Sequence, residues 1–258
     1  MSDPTTITLR IQRFNPDVDA KPRLQNFAIA WQQGMTILDA LQTVKAQHDG
    51  SVTFRRSCRH AICGSCAMNV NGKNMLVCDQ PVKVHLNRKN MVTIRPLPYL
   101  PIIKDLVVDR TSFWNQYMRV KPWLIPLEEV PAAEFRMSPE EVAALQDAEK
   151  CIMCGACYSA CSVIGMTKDY IGPHALLKAF LRTMDPRDAG VAERLELVAQ
   201  DDGVFRCHTV FNCIDACPKD LNPTQAIETL RKLVQKRVAF EEAKNARHKT
   251  LDQPVPAK

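Results

Sequence analysis

Cys151-Ile152-Met153-Cys154-Gly155-Ala156-Cys157-Tyr158-Ser159-Ala160-Cys161 sets four cysteines at C-x2-C-x2-C-x3-C spacing. The same frame returns as Cys207-His208-Thr209-Val210-Phe211-Asn212-Cys213-Ile214-Asp215-Ala216-Cys217-Pro218, with valine at the second position. Runs of this kind hold iron–sulfur cubanes, and where two occur the fourth cysteine of each ligates the other run's cluster. That crossing gives Cys151, Cys154, Cys157 and Cys217 to a 4Fe–4S cluster. It leaves Cys161, Cys207 and Cys213 for the second nest, where Val210 has no lone pair to offer a fourth iron. Three thiolates suit a 3Fe–4S cluster.

Upstream, Cys58, Cys63 and Cys66 make a C-x4-C-x2-C loop, closed by Cys78 after eleven intervening residues. This is the spacing of plant-type 2Fe–2S centres. The three sets use all 11 cysteines of the chain. An odd count argues against a pure disulfide framework. A tetrahedral zinc site wants two pairs of ligands, whereas these runs carry three close cysteines before the fourth.

A length of 258 residues with 46% hydrophobic content allows two domains, each with its own core. No apolar run approaches the eighteen or so residues of a membrane span. The start, Met1-Ser2-Asp3-Pro4-Thr5-Thr6, lacks the basic and apolar regions of a secretion signal, so neither an anchor nor a leader is expected. Charge is uneven: residues 1–110 hold 15 Lys and Arg against 8 Asp and Glu, and residues 111–258 hold 19 against 20. The basic residues are scattered and carry no recognition motif, so no nucleic acid is expected. Docking to an acidic partner and an ordinary solvated surface both remain open.

The pattern predicts an α+β chain in two domains, residues 1–105 and 106–258. Ile7, Leu9 and Ile11, then Phe27, Ile29 and Trp31, alternate as a hairpin would. Thr36 can cap a helix that buries Ile37, Leu38, Leu41 and Val44. Val52–Phe54 reads as a strand, Ala67–Val70 and Leu76–Cys78 as a hairpin about Asn71-Gly72, and Val92–Ile94 as a closing strand. Six of the 17 prolines lie between Pro96 and Pro131, an extended joint. Helices follow from Ser138-Pro139, Gly172-Pro173, Val191 and Asn222-Pro223. The polar tail after Ala239, ending in Pro254 and Pro256, is expected to be loose.

Ser57-Cys58-Arg59, Cys63-Gly64-Ser65-Cys66-Ala67-Met68-Asn69 and Cys207-His208-Thr209-Val210-Phe211-Asn212-Cys213, with Cys217-Pro218-Lys219, resemble the iron–sulfur subunit of succinate dehydrogenases and fumarate reductases. The likeness runs through Ile171-Gly172-Pro173 and Asn222-Pro223. It implies an N-terminal β-grasp plant-type ferredoxin domain followed by an all-α helical ferredoxin domain. It implies partners too: an FAD-containing flavoprotein subunit that interconverts succinate and fumarate, and a membrane anchor with quinone and, in some members, haem b. The chain would sit peripherally on the cytoplasmic, or matrix-like, face of an energy-transducing membrane. Electrons would pass from flavin through the 2Fe–2S, 4Fe–4S and 3Fe–4S clusters to quinone, or in reverse.

By the same resemblance the quinone end lies near His208, Ser162, Met166 and Arg231. Haem-containing members carry a proline directly after the cysteine matching Cys161 and a quinone-contacting tryptophan five positions beyond that cysteine; here stand Ser162 and Met166. His208 also reads as a helper bonded to backbone or cluster, and Arg231 as a solvated helix residue. Arg59 and His60 read equally as flavoprotein contacts or plain surface. Two other functions stay open: a relative that passes electrons to a soluble thiol- or disulfide-linked partner, and a scaffold whose clusters only hold the fold.

Overall fold

Ile7, Leu9 and Ile11 are fully buried along one face of β1 (Thr6–Arg13), as a period-2 strand on a core requires. In the computed structural model, which describes residues 4–127, 135 and 137–251 (side chains through 238), β1 pairs antiparallel with β2 (Arg23–Ala30). Helix α1 (Ile37–Gln47) starts at the expected cap: Thr36 Oγ1 accepts from the Asp39 N–H at 3.1 Å, and Asp39 Oδ2 accepts from the Thr36 N–H at 3.0 Å. Its buried face, Ile37, Leu38, Ala40, Leu41 and Val44, lies in the same core as the sheet.

Strands β3 (Ala67–Val70) and β4 (Lys73–Leu76) are joined by Asn71-Gly72, with φ of 49° and 92°. Positive φ at both positions matches the strand twist of a tight hairpin. The second strand therefore starts at Lys73, directly after the turn, and ends at Leu76, leaving Cys78 in a turn beyond the ladder. Strand β5 (Met91–Arg95) inserts parallel to β1 and antiparallel to β3, giving the order β2-β1-β5-β3-β4. One helix held against this mixed sheet is a β-grasp.

Val52–Phe54 is not a strand. Its backbone bonds instead to Asp105 and Leu106: the Thr53 N–H donates to Asp105 Oδ2 at 2.9 Å, and the Thr53 carbonyl accepts from the Leu106 N–H. Nor is the proline-rich joint featureless. It holds a hairpin of β6 (Ile102–Lys104) and β7 (Val107–Val108), turning at Asp105, and helix α2 (Thr111–Arg119). The joint from 128 to 134, with Pro131, and residue 136 lie outside the described residues.

Beyond the joint every element is helical: α3 (Pro139–Glu149), α4 (Ala156–Ala160), α5 (Ser162–Met166), α6 (Pro173–Thr183), α7 (Val191–Val198), α8 (Asn212–Asp215) and α9 (Pro223–Leu251). Ser138 and Glu141 form the capping box of α3. Helix α9 continues twelve residues past Ala239, where a loose tail was expected. Residues 240–251 contain no Gly or Pro and are rich in Ala, Glu, Lys and Arg, which favour helix. Pro254 and Pro256 lie outside the described residues.

The halves share their packing. Cys154, Ala156 and Ala216 belong to the same buried cluster as the β-grasp core. The helical half also holds a fully buried ion pair. Arg194 on α7 donates to both Asp188 oxygens at 2.5 and 2.9 Å and to the carbonyls of Lys121 and Trp123 at 2.9 Å. Asp188 further accepts the Ile125 and Gly190 N–H groups. Replacing Arg194 by Met strands the carboxylate in the interior, and a loss of about 3–5 kcal/mol is expected. Anaerobic denaturation of the cluster-loaded protein measures it; an unchanged midpoint would contradict it.

Candidate iron–sulfur centres

The first nest is a loop bent by positive φ at Arg59 (65°), Ala61 (58°) and Gly64 (70°). That curl turns amides inward. The Ile62 and Cys63 N–H groups donate to Cys58 Sγ at 3.4 and 3.3 Å, the Ala61 N–H to Cys78 Sγ at 3.3 Å, and the Cys58 N–H to Cys63 Sγ at 3.5 Å. The amides of His60, Cys63 and Ile62 lower the Cys58 thiol to about 6, since hydrogen bonds to the charged form favour it. Cys66 is buried, and desolvation pushes its thiol up to about 12. Cys63 is exposed and Cys58 half-buried, so the loop shows its outer thiols to solvent beside Arg59, His60 and Ile62.

The second nest is a cavity lined by Cys151, Cys154, Cys157 and Cys217, with His174 on its wall. Three of these thiols come from one run and the fourth from the other. Burial pushes Cys154 up to about 11 and raises Cys151 and Cys157 as well. The Leu221 N–H points at Cys217 Sγ from 3.4 Å. Proton loss from such thiols needs a compensating cation, which the iron of a cluster supplies.

The third nest is lined by Cys161, Cys207 and Cys213 together with Val210, His208, Tyr170 and Thr224. Thr209 and Phe211 have positive φ, 53° and 64°, on either side of Val210. The sharing follows from helix geometry. Cys157 and Cys161 are four apart along and just past α4, and Cys213 and Cys217 four apart along and past α8; these two short helices pack against each other. Four residues advance a helix by about 6 Å, so each fourth thiol reaches the neighbouring cavity. Among the described residues no three His, Cys, Asp or Glu side chains close on a single metal ion. A cluster's ligands surround several irons, and the two cavities with their thiol linings fit such groups.

Nests one and two touch. A Cβ on Gly64 would stand 2.8 Å from Cys154 Cβ and 2.9 Å from its Cα, so only glycine lets the first loop pack this closely on the second run. The first loop is thereby brought against Cys154 at Gly64, between Cys63 and Cys66 in sequence, which shortens any electron path between the nests.

Comparison with known proteins follows the same division. A family model described as a 2Fe-2S iron-sulfur cluster binding domain matches residues 8–115, and one described as a 4Fe-4S dicluster domain matches residues 143–218. A succinate dehydrogenase iron-sulfur subunit of Coxiella burnetii is 41% identical over 87% of this chain and 95% of its own length. The chain belongs to the succinate dehydrogenase iron–sulfur subunit family. The corresponding subunit of Paracoccus denitrificans is 40% identical over 88% of both chains. A solved chain of the Mycobacterium smegmatis Sdh1 complex in the apo form superposes with a TM-score of 0.81, at 26% identity, covering 90% of this chain and 96% of that one. The family, the α+β fold of two ferredoxin-like parts, the electron-transfer role and the 2Fe–2S and 4Fe–4S cofactors thus stand together.

Of the four residues assigned to a quinone end, the structure brings one to the third cavity. His208 is exposed on its rim. Ser162 is half-buried at the start of α5, and Met166, at the far end of that helix, is 86% exposed; neither lines the cavity. Arg231 is no solvated side chain: its Nη2 donates to the Val204 and Cys207 carbonyls at 3.0 and 3.1 Å. It ties the Cys207 loop to α9. Sequence reading missed Tyr170, buried against the thiols of this nest with its phenol pushed up by desolvation, and Thr224, whose Oγ1 lies 3.4 Å from Cys213 Sγ. Tyr170 adjoins the Ile171-Gly172-Pro173 motif, which was the available signal.

Proposed function

We propose that Cys58, Cys63, Cys66 and Cys78 hold a 2Fe–2S cluster, Cys151, Cys154, Cys157 and Cys217 a 4Fe–4S cluster, and Cys161, Cys207 and Cys213 a 3Fe–4S cluster. The chain then relays electrons between an FAD-containing flavoprotein subunit, acting on succinate and fumarate, and quinone in a membrane anchor. The observation that carries this reading is the exchange of partners: Cys217 lines the cavity of the first run, and Cys161 that of the second. When bound, the clusters accept and release single electrons at potentials set by nuclearity and surroundings. The protein's part is to supply thiolates, to aim amides at sulfur, and to bring the first two nests together at Gly64.

The flavoprotein would dock on the basic first half, at the loop where Arg59, His60 and Cys63 are exposed, with Arg55 and Arg56 exposed just before it in sequence. The anchor would meet the opposite end, at His208, Val210 and Phe211, with Ser162, Met166 and Arg231 around the quinone vicinity. Val210 and Phe211 are about half exposed, as side chains awaiting an apolar partner would be. No helix among the described residues is long and apolar enough to cross a membrane, which supports peripheral attachment through the anchor. Residues 1–105 and 106–258 remain the working domains; the β6–β7 hairpin straddles their boundary.

The test is to isolate the chain with its natural partners and add succinate anaerobically. Reduction of the flavin followed by the 2Fe–2S and 3Fe–4S signals, reoxidised by quinone, is expected. Clusters that stay oxidised beside a reduced flavin would favour the scaffold, and co-purification with a soluble thiol-linked protein would favour the other relative.

A further inference from the structure

Arg110 carries a charge that no carboxylate answers. Among the described residues it enters no ion pair. Its guanidinium lies over the Phe113 ring, 4.7 Å from the centroid, and near Trp114 at 5.8 Å. Its Nη2 donates to the Met153 carbonyl at 2.7 Å, and its Nε is shut off from solvent with no partner at all. A cation held this way is costly unless negative charge stands close by.

The negative charge is to be found in the second nest. A Cβ on Gly155, between Cys154 and Cys157, would meet Arg110 Nη2 at 2.8 Å. The glycine, at φ of 85°, makes room for the guanidinium inside the cysteine loop. Behind it lies a packed aromatic platform. Phe113 stacks on His174 at 4.0 Å, the His174 Nε2 meets the Phe113 carbonyl at 2.8 Å, and His174 itself lines the cysteine cavity. On its other flank Arg110 shares a small cleft with Ser65 of the first loop, Arg55 and Cys154. The cation therefore stands where the two nests meet.

We propose that Arg110 is a charge-tuning, positioning residue of the second nest, where its cation raises the reduction potential of the 4Fe–4S cluster. Each electron that arrives adds one negative charge to a centre already carrying four thiolates, and a desolvated cation beside it stabilises the reduced state more than the oxidised one. The guanidinium suits the place because it stays charged and stacks on aromatic faces. This inference rests on the ligand assignment given above.

The experiment is a potentiometric titration of the assembled complex, followed by low-temperature electron paramagnetic resonance, for wild type and Arg110→Gln, Arg110→Met and Arg110→Lys. The two neutral variants are expected to weaken 4Fe–4S reduction about tenfold, which for one electron is about 59 mV. Lysine should keep most of the wild-type value, and the 3Fe–4S midpoint should not move. Glutamine retains a donor for the Met153 carbonyl and so serves where methionine fails to assemble. Unmoved midpoints in the neutral variants, or a lysine shift as large as theirs, would overturn the role of charge. Loss of the cluster in glutamine and lysine variants alike would overturn it in favour of simple packing. A wild-type protein without any 4Fe–4S signal would overturn the ligand assignment as well, so the two failures are told apart.

Discussion

Replacing Val210 by cysteine is expected to erase the oxidised 3Fe–4S signal of the air-isolated protein and install a fourth iron in its place. Val210 lines the third cavity, on the rim between Cys207 and Cys213, and is 49% exposed, so iron and reductant can reach it. A cysteine there puts its Sγ where a valine γ-methyl now stands, adding a thiolate without adding bulk. The flanking residues already hold Thr209 and Phe211 at positive φ, so the backbone need not rearrange. A 4Fe–4S centre is expected to take an electron less readily than the 3Fe–4S centre it replaces, since cluster type sets the potential. Quinone reduction by the complex should fall at least about tenfold, the consequence of a potential lowered by about 59 mV or more. Flavin-site turnover with an artificial acceptor should be kept. An unchanged paramagnetic signal in the variant would contradict the role given to Val210.

The second large effect separates crossed from uncrossed ligation. Cys217→Ala should abolish the 4Fe–4S centre and spare the 3Fe–4S signal, because Cys217 lines the cavity of Cys151, Cys154 and Cys157. Cys161→Ala should do the reverse, since Cys161 lines the cavity of Cys207 and Cys213. Each variant removes one ligand from one nest and none from the other. Were each run to serve its own cluster, the pattern would invert: Cys217→Ala would remove the 3Fe–4S signal and leave the 4Fe–4S centre. Iron content and spectra of the two purified variants decide between the patterns.

The nests were legible because cluster ligation imposes fixed local spacings, and because α4 and α8 each carry one cysteine followed, just past the helix, by a second four residues on. Asn71-Gly72, Thr36 and Ser138 were legible for the same reason: a turn or a cap needs particular residues at particular positions. What escaped is what depends on partners far along the chain. Arg13 meets Asp105 across 92 residues at 3.0 Å, and Asp105 in turn takes the backbone of Phe14 and Thr53, which turned an expected strand into a bonded connector. Helix α2 lay hidden among prolines, although Asp109, accepting the Thr111 N–H at 2.8 Å, was a local start signal. The Arg110 platform had none, because Met153 and His174 reach it only through the tertiary fold. Helix α9 ran longer than expected because its C-terminal residues are strong helix formers even without an apolar stripe.

The most direct test is the iron and acid-labile sulfide content of anaerobically purified, folded chain. Three nests of unequal nuclearity predict about nine irons and about ten sulfides per chain. Far fewer irons, zinc in their place, or a tenth iron matching the sulfide would contradict the three-thiolate nest at Val210 and the ligand exchange that creates it.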